Sequence, residues 1–392
     1  MRRPGACNKV LQASGRGAAS SGIVAGDRGE ALLEAVAPVG KLGCALLAAQ
    51  DGYRGPGGAG AELRRRDPSH PAVELGFLED RLGKDVIHTG CRLGAFAQHE
   101  GGVIAHFFDR TGAHIKTAQG DVLVGADGIH SRVREMLFPD EGPPCWNGLM
   151  LWRGARDWPA FLTGNSMIVA GGLNAKVVVY PIAEGSSPAN RLTNWAVLVK
   201  VGDNNAQPPR REDWSRLGKR EELMPHVARF SVPHVDARTL ISATPEFYEY
   251  PCCDRDPLPY WTWGRVTLLG DAAHPMYPVG SNGASQAILD ARALADSLAH
   301  AEHPRQALLA YEQKRLPMTA EIVRSNRRGG PEGVIDAVEQ LAPDGFTDID
   351  KVLSYAQREA IVRGYASKAG FAAPSLAAVR AEGQSPSSPA HA

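Results

Sequence analysis

Arg265–Leu298 reads RVTLLGDAAHPMYPVGSNGASQAILDARALADSL, and its texture changes twice along its length. Val266 to Leu269 is a short apolar run ending in Gly270-Asp271, the pattern of a buried strand that meets a sharp turn. Pro275, Pro278, Gly280 and Gly283 then punctuate an irregular segment. From Ala284 onward, Ala287, Ile288, Ala291, Leu294, Ala295 and Leu298 recur at helical spacing and predict a helix with one apolar stripe. The order is strand, Gly-Asp, glycine-rich loop, helix N-terminus. A carboxylate at a strand end accepts hydrogen bonds from sugar-like hydroxyls. The helix start beyond it offers unpaired backbone N–H groups and a partial positive charge. Such a site suits a ligand that becomes anionic.

A bare Gly-Asp turn reads as a connection that binds nothing. The pattern here is longer: Gly270-Asp271, Ala272-Ala273-His274, Pro278, Gly280-Ser281-Asn282 and Asp290. In that order it resembles the second flavin-contacting motif of the class A flavoprotein monooxygenases, the aromatic hydroxylase family. Upstream lies Asp121–Arg134, DVLVGADGIHSRVR. Val122 to Val124 predict a buried strand, Gly125 a turn, and Ser131 the N-cap of a short helix. Asp127-Gly128, Ser131 and Arg134 resemble the family's DGxxSxxR motif, which serves both the flavin and the nicotinamide donor. Alone it would read equally well as an N-capped surface helix.

Composition narrows the classes. Lysine plus arginine and aspartate plus glutamate each number 43 in 392 residues, so no polyanion or nucleic-acid partner is expected. Six cysteines in a chain this long make no disulfide framework, and Cys252-Cys253 are adjacent; reduced thiols and a cytoplasmic location are expected. No apolar run approaches the roughly 20 residues that span a bilayer. No metal-ligand cluster or Ser-His-Asp order stands out.

The first 70 residues fit the family least. Such proteins begin with a small-residue strand, GxGxxG and a helix. Here Gly15 and Gly17 have their third partner displaced to Gly22, and Glu30–Ala49 reads as an interrupted helix. Ser69-His70 also lacks the arginine of the family's His-Arg-x-x-Leu segment. A truncated or frame-shifted gene start gives this picture; a divergent N-terminus gives it too. Weak FAD binding is the expectation that follows.

Between the motifs, residues 85–119 predict hairpins, and Trp146–Trp263 hold strand-length runs rich in Val, Trp and Tyr. The expected division is residues 1–70 atypical, 71–145 and 263–330 a Rossmann-like α/β FAD-binding domain that is incomplete at its N-terminus, 146–262 an inserted mainly β substrate domain, 331–372 C-terminal helices, and 373–392 a disordered tail.

The resemblance covers about residues 76–330. Within the family, LLGDAAHPMYPVGSNGASQAILD, YPI and DRDPLP are most similar to members acting on salicylate and on methylphenazine carboxylate. It implies an enzyme in which NAD(P)H reduces FAD and a flavin C4a-hydroperoxide hydroxylates a phenolic or N-heteroaromatic carboxylate with O2. Implied cofactor contacts are Asp127, Gly128, Arg134, Gly270, Asp271, Gly280, Ser281, Asn282 and Gly283. Pro278 would shape the wall beside the reacting carbon, and Arg153, Tyr180 and Tyr277 are candidate substrate contacts. Two other readings stay open: a non-catalytic, FAD-deficient remnant, and a flavin reductase or epoxidase on the same scaffold. Substrate identity, NADH against NADPH and oligomeric state are not readable.

Overall fold

The computed structural model describes residues 20–23, 44–49, 88–203, 206–228, 230, 232 and 234–370. Its first sheet is four-stranded and parallel, in the order β1 (Ser20–Ile23), β2 (Cys44–Ala49), β6 (Val122–Ala126), β12 (Val266–Leu268). Two of these strands come from the N-terminal region, where composition foretells none. Cys44–Ala49 is strand rather than the end of a helix: Pro38 and Gly40 separate CALLAA from the helix-like residues before it, and a short apolar run suits a strand between two neighbours as well as a helix. The expectations of an incomplete dinucleotide cradle and of a disordered tail otherwise fall outside the described residues.

A second sheet is the antiparallel trio β3 (Arg92–His99), β4 (Gly102–Phe108) and β5 (His114–Gly120), where the sequence predicts hairpins. Its inner residues Leu93, Val103, Ala105, Phe107 and Ala118 share one core with β6 and β12. Helix α1 (Arg132–Leu137) follows β6 so closely that a Cβ at Gly125 would sit 2.7 Å from Val133 Cβ.

The third sheet carries β7 (Cys145–Pro159), β8 (Ile168–Gly171), β9 (Ala175–Glu184), β10 (Asn190–Lys200) and β11 (Tyr248–Asp254), in the order β11-β7-β10-β9-β8. The strand period of two separates its faces. On one face Trp152, Trp195, Val177, Val179 and Val197 pack against α2 (Arg220–Val227) and α3 (Ala237–Ala243). On the other, Leu151, Leu198, Tyr250 and Cys252 pack against Tyr277 and Val279 of the glycine-rich loop. The sheet is thereby turned towards that loop.

Helix α4 (Gly283–His300) buries Ala287, Ala291, Leu294 and Leu298, each large side chain contributing about 1.5–3 kcal/mol. Ile288, one position off this line, is 41% exposed. Helix α5 (Pro304–Arg327) packs on α4, and α6 (Gly333–Leu341), α7 (Ile349–Val352) and α8 (Tyr355–Ala369) follow. No helix among the described residues is long and apolar enough to cross a membrane.

Candidate cofactor and substrate site

Because β6 and β12 are parallel and paired Val266 to Leu123, their C-terminal ends lie side by side, and Leu269 N donates to Gly125 O at 2.8 Å. Gly125–Gly128 and Gly270-Asp271 therefore meet at the carboxyl edge of the sheet, where ligands of open α/β sheets bind. Gly270 has φ +59°, turning the chain out of the strand.

Asp271 is half-buried, and among the described residues its carboxylate has no hydrogen-bond partner. One of its oxygens lies 3.9 Å from where a Cβ on Gly283, the first residue of α4, would stand. No side chain caps that helix. A free carboxylate and a free helix start thus share one spot.

Of the four loop amides expected to face a ligand, two are spoken for. Ser281 N donates to Pro278 O at 3.1 Å, and Gly280 N points to Glu332 at 3.5 Å. A second reason reserves position 280 for glycine. Its φ is +75°, and a Cβ would lie 2.7 Å from Tyr365 Oη and 2.9 Å from Pro331 Cδ. Ser281 shares the left-handed conformation at φ +48°; it and Pro278 are exposed. Asn282 is buried, and its side chain accepts from Gln286 Nε2 at 3.2 Å.

The middle motif makes many hydrogen bonds within the protein. Both Asp127 oxygens are occupied: one accepts from Ser131 Oγ at 2.5 Å, the other from the Arg132 and Val133 amides at 2.6 and 3.3 Å. Burial pushes the Asp127 pKa up, against those three bonds. The carboxylate caps α1, whose first N–H groups need acceptors. Gly128 beside it has φ +74°. Arg134, 1% exposed, donates to Ala272 O at 3.0 Å, Ala273 O at 2.8 Å, Asp256 O at 3.1 Å and the Glu141 carboxylate. Every N–H of its guanidinium is engaged, and it ties the two motifs together.

Asp290 is the hub sequence reading undervalued. Fully buried, it accepts from Gly270 N at 3.2 Å, His274 Nε2 at 2.5 Å and Arg315 Nε at 2.6 Å. His274, whose ring lies 5.4 Å from that of Trp261, belongs to this packed network.

On the sheet face turned to the loop, Arg153 pairs across with Ala196 and stands over the Tyr250 ring at 5.6 Å. Among the described residues it has no acidic partner. Burial pushes the Tyr180 phenol up, and the nearby Arg153 charge opposes that rise. Tyr277 is buried, donates weakly to Cys145 O at 3.3 Å, and is also raised by burial. A separate cavity of about 570 Å³ adjoins the middle motif, with His130, Arg210, Arg211 and Arg255 among its lining.

A model of the FAD binding domain family matches residues 79–326, more than half of the chain. Phenazine 1,6-dicarboxylic acid hydroxylase of Lysobacter antibioticus is 40% identical over 256 residues, 64% of this chain and 62% of that protein. The chain belongs to the class A flavoprotein monooxygenase family. The cofactor of this family is FAD. A 3-amino-4-hydroxybenzoate 2-monooxygenase of Streptomyces platensis is 34% identical over 274 residues, 69% of this chain and 63% of that protein. The match thus spans somewhat less than two thirds of both flavoprotein relatives. Klebsiella pneumoniae HpxO, solved with FAD and uric acid, superposes with a TM-score of 0.60 at 21% identity, over 80% of this chain and 76% of that one. That likeness speaks for the fold, a flavoprotein α/β domain with an attached sheet.

Proposed function

We propose that this chain binds FAD at the carboxyl edge of its parallel sheet and, with NAD(P)H and O2, hydroxylates a small aromatic carboxylate. The carrying observation is the unpartnered Asp271 carboxylate beside the uncapped start of α4. A ribityl chain supplies hydroxyl donors for Asp271, and the first amides of α4 suit the N1–C2=O edge of the isoalloxazine, which gains negative charge on reduction. Held there by Asp271 and the first amides of α4, FAD would supply the redox chemistry that couples NAD(P)H oxidation to oxygen transfer. Asp127, Gly128 and Arg134 act indirectly, by holding the two strand ends in register. Pro278 forms the exposed wall of the loop. The division into flavin domain, inserted sheet and C-terminal helices set out above belongs to the same reading.

Asp271→Ala tests it. Charge-assisted hydrogen bonds contribute about 1.5–3 kcal/mol, so FAD affinity should fall roughly 10- to 150-fold. The melting temperature of the flavin-free chain should barely move, because the carboxylate has no protein partner to lose. Parent-like FAD binding by the variant, read from flavin fluorescence titration, would sink the assignment.

Arg153 is the proposed reader of the substrate carboxylate, with Tyr180 and Tyr277 beside it. Both relatives act on aromatic acids by name. An unpaired guanidinium stacked on Tyr250 is preorganised for a carboxylate. In flavin-loaded protein, aromatic acids should speed NAD(P)H oxidation. Arg153→Ala should raise the KM for the acid roughly 10- to 100-fold while sparing a neutral amide analogue. No stimulation by any aromatic acid would favour the reductase reading instead.

A further inference from the structure

Between α5 and α8 runs a stretch with little apolar anchorage. From Arg327 to Val352 no residue is buried, and none joins the three apolar clusters of the described residues. Leu341 and Phe346 stand 61% and 52% exposed. Left-handed glycines bracket α6. Gly329 and Gly330 have φ +91° and +52°, and Gly345 has φ +93° with open space around it. Such positions let a chain pivot at low cost.

Charge docks this stretch. Lys176 Nζ, on β9, lies 2.9 Å from Asp336 Oδ1 and 3.5 Å from Glu332 Oε2. Glu332 Oε1 accepts from Gly280 N at 3.5 Å, and Glu339 Oε2 accepts from Leu173 N at 2.5 Å. The three carboxylates follow at i, i+4 and i+7 and so share one face. That face reaches two walls at once. Gly280 belongs to the glycine-rich loop, while Leu173 and Lys176 belong to the β8–β9 hairpin. By the strand period of two, Lys176 shares a side of β9 with Tyr180 and with Val178, which packs in the loop-facing cluster. The turn Gly330–Glu332 closes against the loop and α8: a Cβ on Gly330 would lie 3.0 Å from Val279 Cγ1 and 3.4 Å from Tyr365 Cε2. Detaching α4 would expose a buried apolar stripe, whereas detaching α6 exposes ion pairs that water can solvate.

We infer that residues 329–345 form a hinged cover straddling the glycine-rich loop and the β8–β9 hairpin, with Lys176 as its latch. The cover swings as a unit while α4, α5 and the sheets stay folded. Closed, it holds the Gly280 amide through Glu332. Open, it frees the loop-facing side of β9 at Lys176. Hinge and latch stand on the geometry of this chain. Their role in giving an aromatic acid access to the flavin rests on the function proposed above. Lys176 is a positioning residue in this scheme.

The Leu173 and Gly280 amides report the motion, because their acceptors are carboxylates of the cover. Amide exchange, followed by NMR on the full flavin-free chain, should show both protons exchanging through one shared opening. Lys176→Met should speed both about three- to thirtyfold, the size of one or two ion pairs, and leave Ala291 and Leu294 of α4 unchanged. Asp336→Asn should act in the same direction, and carries the reading if Lys176→Met fails to fold. Added salt should speed exchange in the parent much more than in Lys176→Met. The reversed pair, Lys176→Glu with Asp336→Lys, should recover part of the protection. Acceleration at one of the two amides alone, or equal acceleration in α4, overturns the cover. A second arm applies acrylamide, a neutral quencher, to the fluorescence of bound FAD. The unlatched variants should be quenched about twofold more strongly or beyond, as the open population grows. Faster exchange with unchanged quenching overturns the role in access. A chain that shows the shared opening but holds no FAD keeps the cover and rejects the function proposed above, so the two failures are distinct.

Discussion

Arg134→Ala should destabilise the flavin-free chain by about 3–5 kcal/mol, the cost of removing one partner from a buried ion pair. The guanidinium holds Glu141 and three backbone carbonyls, two of them on Ala272 and Ala273 next to the Gly-Asp turn. Alanine leaves those acceptors buried without donors. The conservative change Arg134→Lys should recover only a minor part, since an ammonium is a point charge and cannot span five contacts in a planar fork. Urea denaturation checks this: the midpoint should drop while the slope stays constant. If Arg134→Ala instead weakens FAD binding with unaltered stability of the flavin-free chain, the side chain contacts the cofactor and the clamp assignment is wrong.

Asp290→Ala should have an effect of the same order, about 3–5 kcal/mol, because it strands the Arg315 charge in the interior. Its sign can be reversed in part. Adding Arg315→Met removes the stranded charge while keeping apolar bulk, so the double variant should be more stable than Asp290→Ala alone. A double variant that loses the sum of both single effects would show that the carboxylate and guanidinium act independently. His274 gives a second check. Once Asp290 is gone its imidazole loses its acceptor, so its ring NMR resonances should broaden or move relative to the parent at a fixed pH.

The two motifs differ in how far their residues could be read. Gly270-Asp271, the loop and α4 are contiguous, so their order in the sequence is already their order in space. Asp127 was legible as a motif position, but its hydrogen bonds to the start of α1 were not. A motif names residues that matter, and here the carboxylate serves amides only five and six residues further on. Arg134 carried no signal at all for its carbonyl partners, which lie 138 and 139 residues away. Strand alternation in β7 announces two faces without saying which one meets the loop. That required the register with β10 and the packing of Tyr277 and Val279 against Leu151. Cys44–Ala49 was misread because a short apolar run of six residues does not separate strand from helix.

The two-faced sheet also has a consequence for divergence. Along β7, Leu151, Arg153 and Ala155 look to the loop, while Met150, Trp152 and Gly154 look away. On the proposed function, neighbours in the sequence are thus under unrelated demands: every second codon would answer to ligand choice, and the codons between answer to packing. A variant library confined to Leu151, Arg153, Val178, Tyr180 and Ala196 would sample new specificities without disturbing the tryptophan layer. A lineage could drift between substrates along one face while the other stayed unchanged.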